Sequence, residues 1–177
     1  MTIPQIETAR LRLRPFSSSD IPQLVPLIGA REVAATTLRI PHPYTEEHAK
    51  AFLAMQSGND ANFAIILRDG DQLCGGIGLR VEEEHRRAEL GYWIGVPYWG
   101  NGYATEAGQA VLRYGFEQLR LNRIFAIHFH HNPASGRVLT KLGMRHEGSL
   151  RQHIAKWGEF LNSEVYGILR KEWEALQ

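Results

Sequence analysis

The sequence predicts one α+β domain that spans residues 1–177. Two observations indicate this class. Short runs rich in β-branched and aromatic residues are separated by turn residues, which is typical of paired strands. Between these runs lie segments that open with helix-capping residues and continue with apolar residues at helical spacing. With 44% apolar residues in a chain of 177, such a domain can bury a core of its own.

Composition narrows the class of protein further. A formal net charge of +1 argues against a dedicated nucleic-acid-binding protein. No apolar run approaches the ~20 residues of a transmembrane helix, and the N-terminus lacks the pattern of a signal peptide. The single cysteine, Cys74, permits no internal disulfide bond and suits a reducing compartment. We therefore expect a cytoplasmic protein without membrane contact, in which Cys74 is a small core residue rather than a nucleophile.

The N-terminal third of the chain predicts one strand and two helices. Residues 7–16 alternate leucine with arginine, which is typical of a half-buried strand. A helix capped within Ser19–Asp20 continues to about Ile28. Thr45 caps a second helix, with two glutamates in its first turn, that ends before Gly58.

Turn residues separate six further predicted strands in the rest of the chain. The first two strands form a hairpin around residues 69–71, and the last two form a hairpin around Gly158. A long apolar helix is predicted over residues 103–119, and Asn132 starts a shorter helix that Gly143 stops. The six strands span residues 62–68, 73–82, 88–94, 123–131, 144–154 and 160–169.

The segment between residues 88 and 106 joins a strand, a glycine-rich turn and the start of a helix. Pro97 ends the strand, because proline cannot donate to a strand ladder. Gly100 and Gly102 let the backbone bend sharply and expose several N–H groups, and a helix begins near Tyr103. Exposed N–H groups at the positive end of a helix dipole predict a phosphate site. A tight connection that binds no ligand is the alternative.

Two nucleotide-binding motifs do not fit this segment. A P-loop requires Gly-x4-Gly-Lys followed by serine or threonine, and the chain has no such run. The dinucleotide-binding fingerprint requires a third glycine or alanine, which would fall at Thr105. It also requires an acidic residue at the end of the next strand, which here ends in histidines and Asn132.

The segment instead resembles the acetyl-CoA loop of the GCN5-related N-acetyltransferase (GNAT) superfamily, in its RimJ/RimL-type subgroup. That loop has the pattern Gln/Arg-x-x-Gly-x-Gly/Ala between a strand and a helix. Gly100 and Gly102 match it, whereas Pro97 stands where glutamine or arginine is usual. Similar phrases recur along the chain in the order of the subgroup: ETARLRLRPF, PHPYTEEHAKAFL, NPASGRVLTKLGM and WGEFLNSEVYGILRKEWEAL.

The resemblance implies the arrangement of the predicted strands. It implies a mixed, mostly antiparallel sheet of about seven strands, with helices on both faces. The sheet should splay between the fourth and fifth predicted strands, at residues 88–94 and 123–131.

The resemblance also implies which residues bind acetyl-CoA. N–H groups near Ile94 and Val96, left unpaired by the splay, would bind the pantetheine amides and polarise the thioester carbonyl. Asn132 would bond the pantetheine arm as well as cap its helix, and the cap alone is the alternative. The pyrophosphate would lie on the loop formed by Gly100, Asn101, Gly102, Tyr103, Ala104 and Thr105.

The implied reaction is direct attack of a neutral amine on the thioester. Glu89 is the candidate general base, acting directly or through water, and a carboxylate paired with Arg86 or Arg87 is the alternative. Many members of the superfamily use a tyrosine as general acid, and the aligned position here is Leu139. Ser135 is the nearest replacement for that acid, or else only the third residue of its helix.

The sequence predicts fewer residues for the acceptor site than for the coenzyme site. His42, Tyr44 and His130 are candidates to line the acceptor site, and a rigid proline turn with exposed rings is the alternative for the first two. The histidines at 128, 130 and 131 suggest a metal, but no further ligand accompanies them, so we predict no metal site.

The expected partners are acetyl-CoA and an amine, with no nucleic acid and no membrane. The amine is a protein N-terminus, such as that of a ribosomal protein, or a small molecule such as an aminoglycoside, a polyamine or an amino acid. A non-catalytic acyl-CoA-binding module is the alternative from another class, and a homodimer is a candidate assembly.

Overall fold

The computed structural model describes residues 3–55 and 60–177, and within them eight strands form one sheet. The strands are β1 (Ile6–Glu7), β2 (Leu11–Arg14), β3 (Ala61–Leu67), β4 (Leu73–Glu82), β5 (Arg87–Ile94), β6 (Arg123–Phe129), β7 (Arg145–Lys156) and β8 (Glu159–Leu169). They lie in the order β1-β2-β3-β4-β5-β6-β8-β7. Only β5 and β6 are parallel neighbours; the other pairs in these residues are antiparallel.

Helices cover both faces of this mixed sheet, which confirms the predicted α+β class. The described residues form α1 (Ile21–Ile28), α2 (Arg31–Thr36), α3 (Glu46–Ala54), α4 (Tyr103–Arg113), α5 (Pro133–Lys141) and α6 (Arg170–Glu174). A π-helical turn, Tyr114–Gln118, continues α4. None of the helices in the described part of the chain is long and apolar enough to span a bilayer.

Most predicted elements match the structure, and three differences have local causes. The predicted first strand is two strands, because the Thr8 N–H bonds the Leu11 carbonyl (2.9 Å) in a turn between β1 and β2. Helices α2 and α6 were not predicted, since six and five residues are too few to display a helical period. Helix α3 ends at Ala54, and its predicted stop, Gly58, lies outside the described residues.

The core has one apolar layer on each face of the sheet. On one face, Leu90 packs in the cluster of buried residues that also holds Val111 of α4 and Leu139 of α5. On the other face, Trp93 packs against the cluster formed with α1, α2 and α3. Successive residues of β5 therefore point into different layers. Cys74 is fully buried, and burial raises the pKa of its thiol to about 12, which confirms its predicted role in the core.

Strands β5 and β6 part after a short stretch of pairing. They pair at Arg87–Arg123, Ala88–Ile124 and Glu89–Phe125 only. Beyond Glu89, β5 continues beside β4 as far as Ile94, while β6 continues beside β8. This confirms the predicted splay, and we call the opening between β5 and β6 beyond Glu89 the splay cleft.

Candidate active site

The loop between β5 and α4 has the backbone shape of an anion-binding turn. Gly100 and Gly102 both have φ of +79°, in the left-handed region that favours glycine. The Trp99 indole donates from Nε1 to the Ile94 carbonyl (2.7 Å), which folds the loop back onto the end of β5. Asn101 Nδ2 donates to two carbonyl oxygens earlier in the loop, at 3.0 and 3.2 Å. The loop is thus fixed by its own hydrogen bonds.

Helix α4 begins without a capping side chain. Its N-cap is Gly102, and the first helical hydrogen bond joins the Glu106 N–H to the Gly102 carbonyl (3.0 Å). The N–H groups of residues 103–105 precede that bond and have no acceptor in the helix. Helices α3 and α5 differ, because Thr45 and Asn132 accept from N–H groups of their own first turns, at 3.4 and 3.3 Å. The start of α4 therefore keeps donors that a phosphate can use.

Open space lies beside both glycines of this loop. An added Cβ on Gly100 would meet no atom within 4 Å. An added Cβ on Gly102 would meet only Arg10 Nη2, at 3.6 Å. These two positions therefore form a cradle that a side chain would fill.

Arg10, just before β2, brings a cation to this loop. Its Nη1 donates to the Asn101 carbonyl (3.0 Å), and its guanidinium lies over the Tyr103 ring, 4.8 Å from the centroid. Its Nε pairs with Glu106 Oε2 (2.7 Å). Sequence reasoning missed Arg10, because in the Leu-Arg alternation it resembles the other solvated arginines.

Two N–H groups at and just after the end of β5 have no partner in the described part of the sheet. The Gly95 N–H donates to the Cys74 carbonyl of β4 (2.9 Å). Because N–H directions alternate along a strand, the Ile94 N–H points into the splay cleft, where no described residue of β6 pairs with it. Val96 starts a 3₁₀ turn, Val96–Tyr98, so its N–H lacks an acceptor within that turn.

Glu89 lies at the apex of the splay cleft and is only 8% exposed. Its Oε2 accepts from Arg80 Nη2 (2.7 Å) and from Arg39 Nη2 (2.8 Å). Its Oε1 accepts no hydrogen bond from the residues that the structure describes. One carboxylate oxygen is thus held by two cations while the other is available.

The predicted alternative partners of Glu89 are wrong. Arg87 pairs with Glu82 (2.8 Å), which lies directly opposite it in the β4–β5 register, and Arg80 lies directly opposite Glu89. Residues directly opposite each other on neighbouring strands are closer than residues two apart on one strand. Arg86 Nη2 donates to a backbone carbonyl instead (2.9 Å).

Tyr92, on the other face of β5, connects that strand to α5. Its hydroxyl lies 2.6 Å from Ser135 Oγ. Burial raises the pKa of Tyr92 to about 12, although the hydrogen bond with Ser135 opposes the shift, so the hydroxyl keeps its proton at neutral pH. The Ser135 N–H donates to Asn132 Oδ1, which confirms that Asn132 is an N-cap. Leu139, where the superfamily tyrosine would be, is fully buried in the core.

His42 and Tyr44 lie in the connection between α2 and α3. The His42 ring faces Trp157 of the β7–β8 turn, with centroids 5.9 Å apart. The Tyr44 ring faces His48 (5.6 Å) and packs against the layer under α1–α3, and burial raises its pKa. Neither side chain is among the described hydrogen-bond partners of Glu89.

His130 belongs to a polar cluster on β7 and β8. Glu164 accepts from Ser149 Oγ (2.6 Å) and lies 2.7 Å from His130 Nδ1 and 2.6 Å from His146 Nε2. These hydrogen bonds lower the pKa of Glu164 to about 2. Within residues 3–55 and 60–177, no group of three or more His, Cys, Asp or Glu side chains is arranged to hold a metal ion.

A surface cavity of about 780 Å³ lies along the irregular part of β7. It is lined by Ser149, Leu150, Arg151, Gln152, His153 and Asn162. None of the predicted site residues lines it.

A family model described as an acetyltransferase (GNAT) domain matches residues 10–145. The chain belongs to the GNAT acetyltransferase family. This GNAT chain is 38% identical to the uncharacterized N-acetyltransferase YnaD of Bacillus subtilis (strain 168), over 95% of this chain and 98% of YnaD. Relatives and fold together identify it as an N-acetyltransferase.

Solved GNAT structures share the fold over nearly the whole chain. The acetyltransferase (GNAT family) from Bacillus anthracis has a TM-score of 0.86 and 31% identity, over 95% of this chain and 99% of that one. The spermidine N-acetyltransferase from Vibrio cholerae, in complex with CoA and spermine, has a TM-score of 0.83 and 20% identity. The alignment covers 94% of this GNAT chain and 99% of the Vibrio cholerae chain. At 20% identity the likeness concerns the fold alone.

The sequence did not predict several contacts around this GNAT site, for one reason. The contacts of Arg39 with Glu89 and of Tyr92 with Ser135 join positions 50 and 43 residues apart. Only the register of the sheet brings them together. The Arg80–Glu89 pair carried a usable signal, because correct alignment of the β4–β5 hairpin predicts it.

Proposed function

We propose that this GNAT enzyme transfers the acetyl group of acetyl-CoA to a primary amine, and that the amine is the N-terminal α-amine of a protein. The observation that carries the proposal is the uncapped start of α4, preceded by two left-handed glycines with open space beside them. Assignment to the RimJ/RimL-type subgroup is part of the same proposal. It is supported by the matching phrases along the chain.

The chain offers donors along the whole length of the coenzyme. The pyrophosphate would take the N–H groups of the loop 100–105, with the Arg10 guanidinium beside them. The N–H groups of Ile94 and Val96 would take the pantetheine amides and the thioester oxygen. Asn132 uses Oδ1 for its cap, which leaves its Nδ2 donors for the pantetheine arm.

The chemistry requires the loss of a proton from the amine and a proton for the departing thiolate. Acetyl-CoA supplies the thioester whose carbonyl carbon the amine attacks. Glu89 Oε1 would accept the amine proton, directly or through water. Ser135 Oγ, backed by the Tyr92 hydroxyl, would donate to the sulfur. A thiol with a pKa of ~8.5 leaves readily with modest help, so one hydroxyl suffices in place of the superfamily tyrosine.

The choice of an α-amine rests on the fraction of the amine that is neutral, and so able to attack, near pH 7. A protein α-amine has a pKa of ~8, so a useful fraction is neutral near pH 7, whereas a lysine amine at ~10.4 is almost fully charged. A site with a single carboxylate base suits the α-amine better. Small amines with a lowered pKa are the second candidate.

Coenzyme-thiol release in the presence of a panel of amines tests the proposal. The panel contains peptides with different first residues, free amino acids, a polyamine and an aminoglycoside. We expect thiol release with peptides, and mass spectrometry should locate the added acetyl group on the α-amine. Release only with small amines would assign the second candidate. Coenzyme binding by calorimetry without release for any amine would assign a non-catalytic binding module.

A further inference from the structure

Open space lies beside Glu89 on the face of β5 that is turned toward α1–α3. Gly91, two residues beyond Glu89 on the same face, is exposed, and an added Cβ there would meet no atom within 4 Å. Trp93, two residues further along, packs under α1–α3. The space over Gly91, between Glu89 and Trp93, is therefore a place where a substrate can reach Glu89 from the side of the α2–α3 connection. We call it the Gly91 opening.

Two arginines border this opening with most of their donors unused. Arg39 and Arg80 each bond Glu89 Oε2 through Nη2 alone. Their side chains are 59% and 52% exposed, and their other nitrogens donate to no described residue. A guanidinium carries five N–H donors in a planar fork that matches a carboxylate. Each arginine can therefore hold a second anion without leaving Glu89.

The charges around the opening leave a positive excess. Two guanidinium groups face one carboxylate at Glu89, and Lys156 Nζ donates to the Thr37 carbonyl (2.6 Å), two residues from Arg39. Glu82 of β4 is paired with Arg87, whereas Asp60 accepts from the Val81 N–H (3.0 Å) and keeps its negative charge beside β4. Around the opening, the cations Arg39, Arg80 and Lys156 therefore outnumber the carboxylates Glu89 and Asp60 by one. A polycationic amine would meet net repulsion here, whereas an anionic group would be attracted.

We propose that the acceptor of this enzyme carries a carboxylate close to its primary amine, and that Arg39 and Arg80 bind that carboxylate at the Gly91 opening. The ammonium end of such an acceptor is attracted to Glu89, which can then take its proton. The inference rests on the proposed function, because it names the substrate class for the same site. The carboxylate belongs either to an acidic residue at the start of a peptide or to a free amino acid.

Matched acceptors test the inference at saturating acetyl-CoA. Peptide pairs that begin with Asp or Asn, and with Glu or Gln, differ only in the charge. Free aspartate and glutamate represent the amino-acid source, and spermidine represents a polycation. We expect kcat/KM for the acidic member of each pair to exceed that for the amide by ~10-fold or more, as for a charge-assisted hydrogen bond. Spermidine should be the poorest acceptor. The ranking of acidic peptides against free amino acids identifies the source.

A variant then separates carboxylate binding from the support of Glu89. Arg39→Gln should raise KM for acidic acceptors and lower the acidic-to-amide ratio, because only Arg80 is then left to hold the carboxylate. If Arg39 only positions Glu89, kcat should fall equally for both members of a pair. Arg31→Gln is the matched control, because Arg31 lies over Trp157 in the same region and does not touch Glu89. The control should leave the ratio unchanged.

Two results would overturn the inference: equal use of amide and acidic acceptors, or an unchanged ratio in Arg39→Gln. Failure of the proposed function is a separate outcome, seen as binding of acetyl-CoA without turnover of any amine. In that case calorimetry of the same peptide pairs with the CoA-bound enzyme decides the inference. Tighter binding of the acidic member supports it, and equal binding overturns it.

Discussion

At the scale of single residues, the carboxylate of Glu89 is the group on which the proposed proton transfer depends. Glu89→Gln keeps the shape and the neighbouring arginines but removes the base. We expect kcat near neutral pH to fall by roughly 100-fold or more. The deficit should shrink at high pH, where the amine is already neutral. The measurement is a pH–rate profile at saturating acetyl-CoA.

Glu82→Gln is the control for that profile, because Glu82 is a paired carboxylate on the neighbouring strand. It should leave kcat unchanged, and coenzyme affinity should barely change in either variant. A uniform fall of less than about threefold in Glu89→Gln at every pH would contradict a base role. The proton acceptor would then be water or a histidine such as His128 or His130.

The Tyr92 hydroxyl offers a second test at this scale. Tyr92→Phe removes the group that lies 2.6 Å from Ser135 Oγ and leaves the ring in place. If the pair donates a proton to the thiolate, kcat should fall by about 10-fold with little change in coenzyme affinity. Tyr98→Phe is the control, because its exposed hydroxyl contacts only Gln72 Oε1 (3.4 Å) among the described residues. Equal kcat in the two variants would show that Tyr92 is a packing residue.

At the scale of elements, the loop before α4 carries the coenzyme site. Gly102→Val should weaken acetyl-CoA binding by 10-fold or more, because its side chain would enter the proposed phosphate cradle. Gly70→Val is a matched control, since Gly70 has φ of +80° in the β3–β4 turn and bears the same backbone strain. Calorimetry should find weaker binding only in Gly102→Val. Unchanged affinity in a folded Gly102 variant would reject the loop as the phosphate site.

Asn132, at the start of α5, allows a test of whether one residue both caps a helix and binds the coenzyme. Asn132→Ala removes the cap and should cost about 1 kcal/mol of unfolding free energy. If the Nδ2 group also binds the pantetheine arm, coenzyme affinity should fall at temperatures where the variant is folded. Thr45→Ala removes the cap of α3 and should lower stability alone. A matching result for the two variants would assign Asn132 to the cap only.

At the scale of the whole molecule, the Glu164 cluster joins the sheet edge and responds to acid. Glu164 of β8 bonds Ser149 and His146 of β7 and His130 after β6. Its pKa is lowered from 4.5 to about 2, so its contribution to stability is full above pH 4.5 and is lost as pH falls toward 2. Glu164→Gln should therefore lower the unfolding temperature at pH 6 and lose that difference at low pH. A constant difference across this window would contradict the linkage.

The sequence predicts features that depend on residues close together along the chain, and it does not predict contacts between residues far apart along it. Strand β4, the loop glycines and the Thr45 and Asn132 caps depend on neighbours within a few residues, and each was predicted correctly. The partners of Glu89 depend on how β4 pairs with β5 and on where the α2–α3 connection crosses the sheet. Helix α2 has six residues and no capping side chain, so no local pattern announces it. By sequence, Tyr92 is one more aromatic residue of a strand, and only the position of α5 beside β5 gives it the contact with Ser135.

Because β5 and β6 separate early, the sheet also has an unpaired strand edge in its interior. Beyond Glu89, the alternate amides of β5 that face the splay cleft, such as that of Ile94, have no strand partner there, so we expect them to exchange with deuterium quickly in the ligand-free protein. A ligand that accepts from those amides would act as the missing neighbour. Slower exchange and a higher unfolding temperature should then rise together with ligand concentration. The time for which the enzyme stays folded would then depend on the concentration of the ligand that binds in the splay cleft.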